Sequence, residues 1–225
     1  WVARTRQELD SLPEVRILTR TTAFGYYDDN MIGAVERVAD HMPVPPDHVP
    51  RQRLWHIRAR HVVLATGAIE RHIAFPDNDR PGVMLAGAVR SYINRFAVRP
   101  GRRAVVVANN DDGYRTALDL AAAGVEVMRV VDTRSAGTSD WRVRCEAAGI
   151  DIQDGAAVTK VHGRLAVIGC DIAPLDGSDR PRFEPCDLIA VSGGWSPAVH
   201  LHTHALGAIE WSEGRAAFVP GAARQ

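Results

Sequence analysis

Residues 61–68, His-Val-Val-Leu-Ala-Thr-Gly-Ala, form the stretch from which the fold can be predicted. An apolar, β-branched run ends there in a small residue, a hydroxyl and a glycine, which is typical of a buried strand followed by a turn. A glycine at the carboxyl end of a strand lets a ligand approach the backbone, at the edge where open α/β sheets bind ligands. We therefore predict a strand that ends in a ligand-binding turn at Thr66 and Gly67.

A second stretch of the same kind follows much later, at residues 186–195, Cys-Asp-Leu-Ile-Ala-Val-Ser-Gly-Gly-Trp. Two similar strand ends suggest one sheet that the chain leaves and later re-enters. We expect residues 1–99 and 186–225 to form a partial dinucleotide-binding domain that lacks its N-terminal βαβ unit. Residues 100–185 are then an inserted domain.

The composition excludes several classes of protein. The 225 residues contain 27 basic and 27 acidic side chains, so nothing favours nucleic acid or anionic lipid as a partner. The three cysteines lack CxxC spacing, which indicates a reducing compartment, and we expect a cytoplasmic protein. No apolar run approaches the length of a membrane span. Because the first residue is Trp1, we expect a fragment of a longer chain.

Local patterns predict the remaining elements around these two stretches. Residues 3–12 and 84–97 have the apolar spacing of helices. Residues 22–27, 31–38 and 53–59 have strand character and are joined by turn or surface-loop chemistry, which predicts a small antiparallel meander.

A βαβ pattern begins at Arg103, with strands over 104–108 and 125–131 and a helix over 112–123 between them. Asp132 follows the second strand at the position where an acidic residue binds a ribose in dinucleotide-binding units. The inserted domain is therefore expected to be Rossmann-like.

The glycine fingerprint of such a unit is lost, because its three positions hold Asn109, Asp111 and Tyr114. Asp111 and Asp112 place negative charge at the helix N-terminus, where a phosphate would bind. Tyr114 is expected to crowd the packing of helix against strand. The unit is thus predicted to be degenerate and to bind a dinucleotide poorly.

Three other polar clusters favour ordinary structural explanations. His200, His202 and His204 have no neighbouring cysteine or carboxylate in the sequence to complete a metal site. The arginines within 51–60 fit a solvated or subunit-facing strand, since the chain is neutral. Residues 70–72, Glu-Arg-His, have no paired nucleophile, and a structural salt link is preferred to a catalytic role. No catalytic residue and no metal site is predicted.

Three long stretches resemble the α (large) subunit of heterotetrameric sarcosine oxidases. They are ATGAIERHIAFPDNDRPGVMLAGAVRSYINRF (65–96), AVVVANNDDGYRTALDLAAAGVEV (104–127) and VSGGWSPAVHLHTHALG (191–207). The resemblance implies an α/β, glutathione-reductase-like FAD/NAD(P)-binding fold. This fold has a three-layer parallel sheet, an antiparallel meander and an inserted second Rossmann-like domain.

The same resemblance implies cofactors and partners. In that family the α subunit holds NAD, sarcosine is oxidised at an FAD on the β subunit, and a covalent FMN lies between the two. The γ and δ subunits complete the heterotetramer, and a folate-binding domain lies in the C-terminal part of α. This chain would then be the middle of α, with the glycine fingerprint before Trp1 and the folate domain beyond Gln225. We expect the chain to be inactive on its own. We also expect the small amine substrate to bind elsewhere in the complex, and neither nucleic acid nor a membrane to be a partner.

Carried over residue by residue, the resemblance predicts seven cofactor contacts. Only the strand-end glycines are also supported by the physical argument above. The predicted contacts are Ala23, Thr66, Gly67, Gly193, Gly194, Leu201 and Thr203.

Two alternative functions remain open. The lost fingerprint at 109–111 fits a purely structural or interaction module without a cofactor. The chain also fits an FAD-linked subunit of another amine or opine oxidoreductase.

Overall fold

The computed structural model describes residues 1–222 and contains five α-helices and fifteen strands in that range. The helices are α1 (Val2–Asp10), α2 (Ala86–Phe96), α3 (Asp112–Ala122), α4 (Asp140–Ala147) and α5 (His200–His204). The strands are β1 (Thr21–Tyr27), β2 (Met31–Arg37), β3 (Gln52–Arg58), β4 (Ala68–Glu70), β5 (Val83–Leu85), β6 (Arg103–Ala108), β7 (Glu126–Asp132), β8 (Ile152–Asp154), β9 (Ala156–His162), β10 (Gly169–Pro174), β11 (Arg182–Glu184), β12 (Leu188–Ser192), β13 (Trp195–Pro197), β14 (Ile209–Ser212) and β15 (Ala217–Pro220).

The chain divides into two compact units. Ala68–Ser196 form the first, which we call the central unit. Trp1–Gly67 and the described residues from Pro197 onward form the second, which we call the flanking unit. The domain boundaries expected after residues 99 and 185 stay a prediction.

A five-stranded parallel sheet organises the central unit, with strand order β5-β12-β6-β7-β8. Its strands are rich in valine and isoleucine, because both faces of a parallel sheet are covered and favour apolar, β-branched residues. The expected βαβ unit is confirmed, since α3 connects the parallel neighbours β6 and β7.

Successive residues of the central strands enter two different cores. On β6 and β12, Val105 and Ile189 face the layer of β9, β10 and β11, while Val106 and Ala190 face helices α2, α3 and α4. The alternation follows from the period of two in a strand. The central unit is thus a three-layer α/β/β sandwich whose parallel sheet is buried on both sides.

Gly113 sets the distance between α3 and the sheet. A Cβ atom built on this residue would lie 2.4 Å from the Cβ of Ala108 at the end of β6. Only glycine allows this separation, because real Cβ atoms do not approach so closely. The fingerprint position that packs helix on strand is therefore filled by Gly113, one residue before the position expected from spacing.

The flanking unit contains the expected antiparallel meander. Strand β2 pairs with β1 and with β3, and Asp29 and Asn30 form the first turn with positive φ angles of 55° and 52°. Helix α5 packs against β1, and β14 pairs with β15 as a hairpin.

Two of the sequence-based expectations about strands are wrong. Residues 61–66 are not a strand, and Val63 is 90% exposed, because no neighbour in the described chain forms a ladder with this run. The strand at Leu188–Ser192 does not rejoin an outer sheet, since it pairs in parallel with β5 and β6. Its apolar residues fill both cores of the central unit, which fixes it there.

Helices are predicted better than strands. The expected helices at residues 3–12, 84–97 and 112–123 are present as α1, α2 and α3, with ends that differ by at most two residues. Among the described residues, no helix is long and apolar enough to cross a bilayer.

We predict that Gly113→Val destabilises the chain by about 1–3 kcal/mol, because the new side chain overpacks the contact with Ala108. Urea unfolding followed by circular dichroism measures the change. Gly137→Val is the matched control, since the nearest atom to its added Cβ is 4.0 Å away. Equal stability of the two variants would contradict the assigned role of Gly113.

Candidate cofactor-binding site

Thr66 and Gly67 are held in the flanking unit by the segment that leads into α5. The hydroxyl of Thr66 donates to the carbonyl of Ala198 at 2.8 Å, and the amide of Ala198 donates to the carbonyl of Gly67 at 3.0 Å. This reciprocal pair fixes the turn without a β-ladder. Gly67 has a φ of 72°, and no atom of residues 1–222 outside its chain neighbours lies within 4 Å of an added Cβ. The turn thus presents bare backbone beside open space.

Three further predicted residues belong to the same unit. Ala23 lies on β1, against which α5 packs, and α5 carries Leu201 and Thr203. The hydroxyl of Thr203 donates to the carbonyl of His200 within its own helix. Five of the seven predicted contacts are therefore residues of the flanking unit.

The histidines of α5 have local partners. The Nε2 of His202 lies 2.7 Å from the carbonyl oxygen of Ala208, and the ring of His204 lies 6.0 Å from that of Tyr27. These contacts explain His202 and His204 without a ligand.

Gly193 and Gly194 belong to the central unit and have a packing role of their own. The amide of Gly193 donates to the carbonyl of Arg71 at 3.1 Å, and a Cβ at Gly193 would lie 2.5 Å from that oxygen. The amide of Arg71 in turn donates to the carbonyl of Gly194 at 2.8 Å. Close backbone approach thus requires glycine at 193 whether or not a ligand binds.

The loop between β6 and α3, where a dinucleotide's phosphates would bind, is closed by Asn110. Its amide nitrogen donates to the carbonyl of Ser192 at 3.0 Å and to the side-chain oxygen of Asn109 at 2.8 Å. Its side-chain oxygen accepts the amide of Asp112 at 3.0 Å and the hydroxyl of Ser192 at 3.1 Å. The helix N-terminal N–H that would hold a phosphate is therefore already bound.

Asp132 lies where the ribose-binding carboxylate was expected, but its oxygens are already bound. It is 1% exposed and accepts hydrogen bonds from the hydroxyl of Tyr114 at 2.7 Å and from the backbone amide of Arg134 at 2.9 Å. The Arg134 guanidinium binds both carboxylate oxygens, at 3.0 and 2.7 Å, and reaches Asp111 at 3.0 Å. Asp132 thus lies at the expected position after β7, but its acceptors serve this internal network.

The same network sets two pKa values. Burial raises the pKa of Asp132, but the hydrogen bonds from Arg134 and Tyr114 outweigh it, so the net pKa lies below the ordinary value. Burial and the neighbouring Asp132 carboxylate raise the pKa of Tyr114 to about 12. Asp132 is thus ionised and Tyr114 protonated at neutral pH, the states in which donor and acceptor match.

Tyr114 does not crowd the packing of helix against strand, contrary to expectation. Its ring is buried among the apolar residues between the sheet and the helices, and its hydroxyl reaches Asp132. Sequence spacing missed this because it assigned the helix–strand contact to 114 rather than to Gly113.

Glu70 also has a structural role. Its Oε2 accepts the amide of Gly87 at 2.8 Å, in the first turn of α2. Burial raises the pKa of this carboxyl, and the Gly87 hydrogen bond opposes the rise. A carboxylate at a helix N-terminus is favoured by the exposed N–H groups there.

The residues present therefore fit a dinucleotide differently in the two units. At the carboxyl edge of the central sheet, the N-terminus of α3 is bound by Asn110 and Asp111 adds negative charge. The carboxylate oxygens of Asp132 already accept hydrogen bonds from Tyr114 and Arg134. In the flanking unit, the turn at Gly67 offers open backbone. The central unit does not fit the phosphates and ribose of a dinucleotide, whereas the Gly67 turn has room for a ligand.

The architecture is that of an FAD/NAD(P)-binding oxidoreductase fold. The structure of an NAD-dependent persulfide reductase from A. fulgidus superposes with a TM-score of 0.62 and 16% identity, over 92% of this chain and 36% of that one. At this identity the likeness supports the fold alone. The predicted fold class is confirmed.

The sequence resemblance to sarcosine oxidase α subunits is confirmed as well. The chain is 44% identical to the sarcosine oxidase subunit alpha of Rhizobium meliloti over 218 residues, or 96% of this chain. It is also 44% identical to that of Corynebacterium sp. (strain P-1) over 232 residues, or 99% of this chain. It spans only 21% and 24% of the length of these relatives. No protein-family model matches the chain.

We predict that Tyr114→Phe costs about 1–3 kcal/mol of stability, because buried Asp132 loses a donor. Since the folded pKa of Tyr114 is raised, its contribution is present below about pH 10 and is lost as the pH rises toward 12. Urea unfolding between pH 7 and 12 measures both effects. Tyr92→Phe, in a half-exposed ring, is the control. Equal losses in the two variants would refute the network's role.

Proposed function

We propose that this chain is the part of a sarcosine-oxidase-type α subunit that holds NAD. The oxidative demethylation of sarcosine, or of a related small amine, takes place on other parts of the assembly. The observation that carries this proposal is the open, left-handed turn at Gly67, in a chain 44% identical to such subunits over nearly its whole length.

The turn at Thr66 and Gly67 is suited to a flat or extended ligand. The bare backbone of Gly67 permits close approach, and the hydrogen bonds to Ala198 hold the turn rigid before a ligand arrives. The Thr66 hydroxyl uses its proton on Ala198, so its oxygen can still accept a hydrogen bond.

Ala23, Leu201 and Thr203 complete the proposed contacts in the flanking unit, and Gly193 and Gly194 stay predicted contacts from the central unit. Ala23 would lie beside the adenine, while Leu201 and Thr203 would cover the cofactor. A nicotinamide dinucleotide, when bound, supplies a centre that can accept or donate a hydride. This chain's own part is to bind and orient it.

The cofactors and partners of the whole assembly follow from the same relationship. We propose an FAD on a β subunit, an FMN between α and β, γ and δ subunits, and a folate site elsewhere in the complex. None of these requires a catalytic residue in this chain.

A purely structural module is the second candidate, and the closed edge of the central unit favours it for that unit. Isothermal titration of the chain with NAD and with FAD separates the two functions, since binding of either contradicts a purely structural role. The third candidate, an FAD-linked subunit of another amine or opine oxidoreductase, predicts a flavin absorbance in the full-length protein that is bleached by its amine.

We predict that the full-length subunit copurifies with about one NAD and that Gly67→Val lowers this content at least tenfold, because a side chain enters the open space. Cofactor release and quantification by chromatography measure it. Gly177→Val is the matched control, since Gly177 also has a φ near 71° and open surroundings. A wild-type subunit without any nicotinamide dinucleotide would refute the proposed function.

A further inference from the structure

The outer face of α2 exposes three large apolar side chains close together in sequence. Tyr92 is 45% exposed, Phe96 is 60% exposed and Val98, just beyond the helix, is 46% exposed. The rings of Tyr92 and Phe96 lie edge to face with centroids 6.2 Å apart. We call these three residues the α2 patch. Single exposed apolar residues need no explanation, whereas contiguous apolar side chains are typical of interaction surfaces.

A groove of about 410 Å³ adjoins the patch, between the C-terminal ends of α2 and α3. Its apolar lining includes Ile93 and Val98 from the α2 side and Ala122 and Ala123 from the α3 side. Asn94, Arg99 and Asp119 add polar groups to the lining. The groove is large enough to accept one or two apolar side chains from a partner.

The turn that ends α2 holds this surface in place at a cost. Ala97 adopts the left-handed conformation, with φ 53° and ψ 35°, at a position where helices usually have glycine. A non-glycine residue in this region costs about 1–2 kcal/mol. The amide of Val98 donates to the carbonyl of Tyr92 at 3.0 Å, which keeps Val98 beside the helix end.

The patch has a positive rim. The guanidinium of Arg95 lies over the ring of Phe96 at 5.4 Å, and that of Arg99 donates to the carbonyl of Gly124 at 3.4 Å. Within residues 1–222, no carboxylate forms an ion pair with Arg95 or Arg99. Residues 90–103 contain five arginines and no acidic residue. The one carboxylate of the groove lining, that of Asp119, is bound to Arg90 and Asn94, so Arg95 and Arg99 are left without an acidic partner among the described residues.

We propose that the α2 patch docks another protein subunit, through an apolar side chain of that subunit flanked by carboxylates. The apolar side chain would fill the groove, and the carboxylates would pair with Arg95 and Arg99. Aromatic residues and arginine are the types that carry most of the binding energy in protein interfaces. The proposal rests on the proposed function, which makes this chain a component of a multi-subunit enzyme.

Other occupants fit the patch less well. A second copy of the chain docked symmetrically would bring the same arginines together, and like charges across an interface are unfavourable. A nucleic acid would use the arginines but not the apolar groove, and the chain as a whole carries no net charge. An acidic, apolar protein surface satisfies both features of the patch.

Two variants test the proposal in the full-length subunit coexpressed with the other subunits of its enzyme. Phe96→Ser removes the centre of the patch, and the double variant Arg95→Glu with Arg99→Glu reverses its rim. We expect each to weaken assembly at least tenfold, measured by sedimentation at graded protein concentration. Both alter exposed groups, so the melting temperature of the isolated subunit should stay within a few degrees of wild type.

The controls are Val143→Ser and Arg180→Glu, which change an exposed valine and an exposed arginine elsewhere in the central unit. They should assemble as wild type does. Wild-type assembly by the patch variants would overturn this inference while leaving the proposed function standing. Loss of a homodimer rather than of the mixed complex would identify a second copy as the occupant and also overturn it. A wild-type subunit that neither assembles nor carries NAD would refute the proposed function as well.

Discussion

One side-chain amide, that of Asn110, determines what the central unit can bind. It joins the loop after β6 to the end of β12 and at the same time accepts the first free N–H of α3. A bound phosphate would need that N–H, and it would also need free space beside the end of β12. Because both are occupied by Asn110, the unit has the framework of a nucleotide-binding fold with its binding edge bound to itself.

The buried ion network beneath this edge follows the same logic. Asp132 would be costly to bury alone, and Arg134 and Tyr114 supply donors to both of its oxygens. These contacts link the end of β7 to α3 and to the following loop. The proposed cofactor contacts are therefore better sought at the Gly67 turn, where hydrogen bonds to Ala198 hold the backbone rigid and leave space beside it.

The sequence predicts those parts of the structure that depend on local patterns. The βαβ unit, the meander and helix α2 follow from apolar periodicity and turn residues, and each is present. The strand predicted at 61–66 is absent, because β-branched residues favour a strand only where a neighbouring strand offers hydrogen bonds. The pairing of β12 with β6, and that of Asp132 with Tyr114, depend on contacts between distant residues that spacing does not encode.

The hydrogen bonds of Asn110 also limit how this unit can regain ligand binding by amino-acid substitution. Replacing it alone would free the helix terminus but would leave Asp111 and the saturated Asp132 in place, and buried partners would lose their hydrogen bonds. Replacement of Asn110 would thus lose these hydrogen bonds without creating a site for a phosphate and a ribose. The closed edge therefore disfavours a return to dinucleotide binding in this crevice. New functions would then arise on the outer surfaces of the unit.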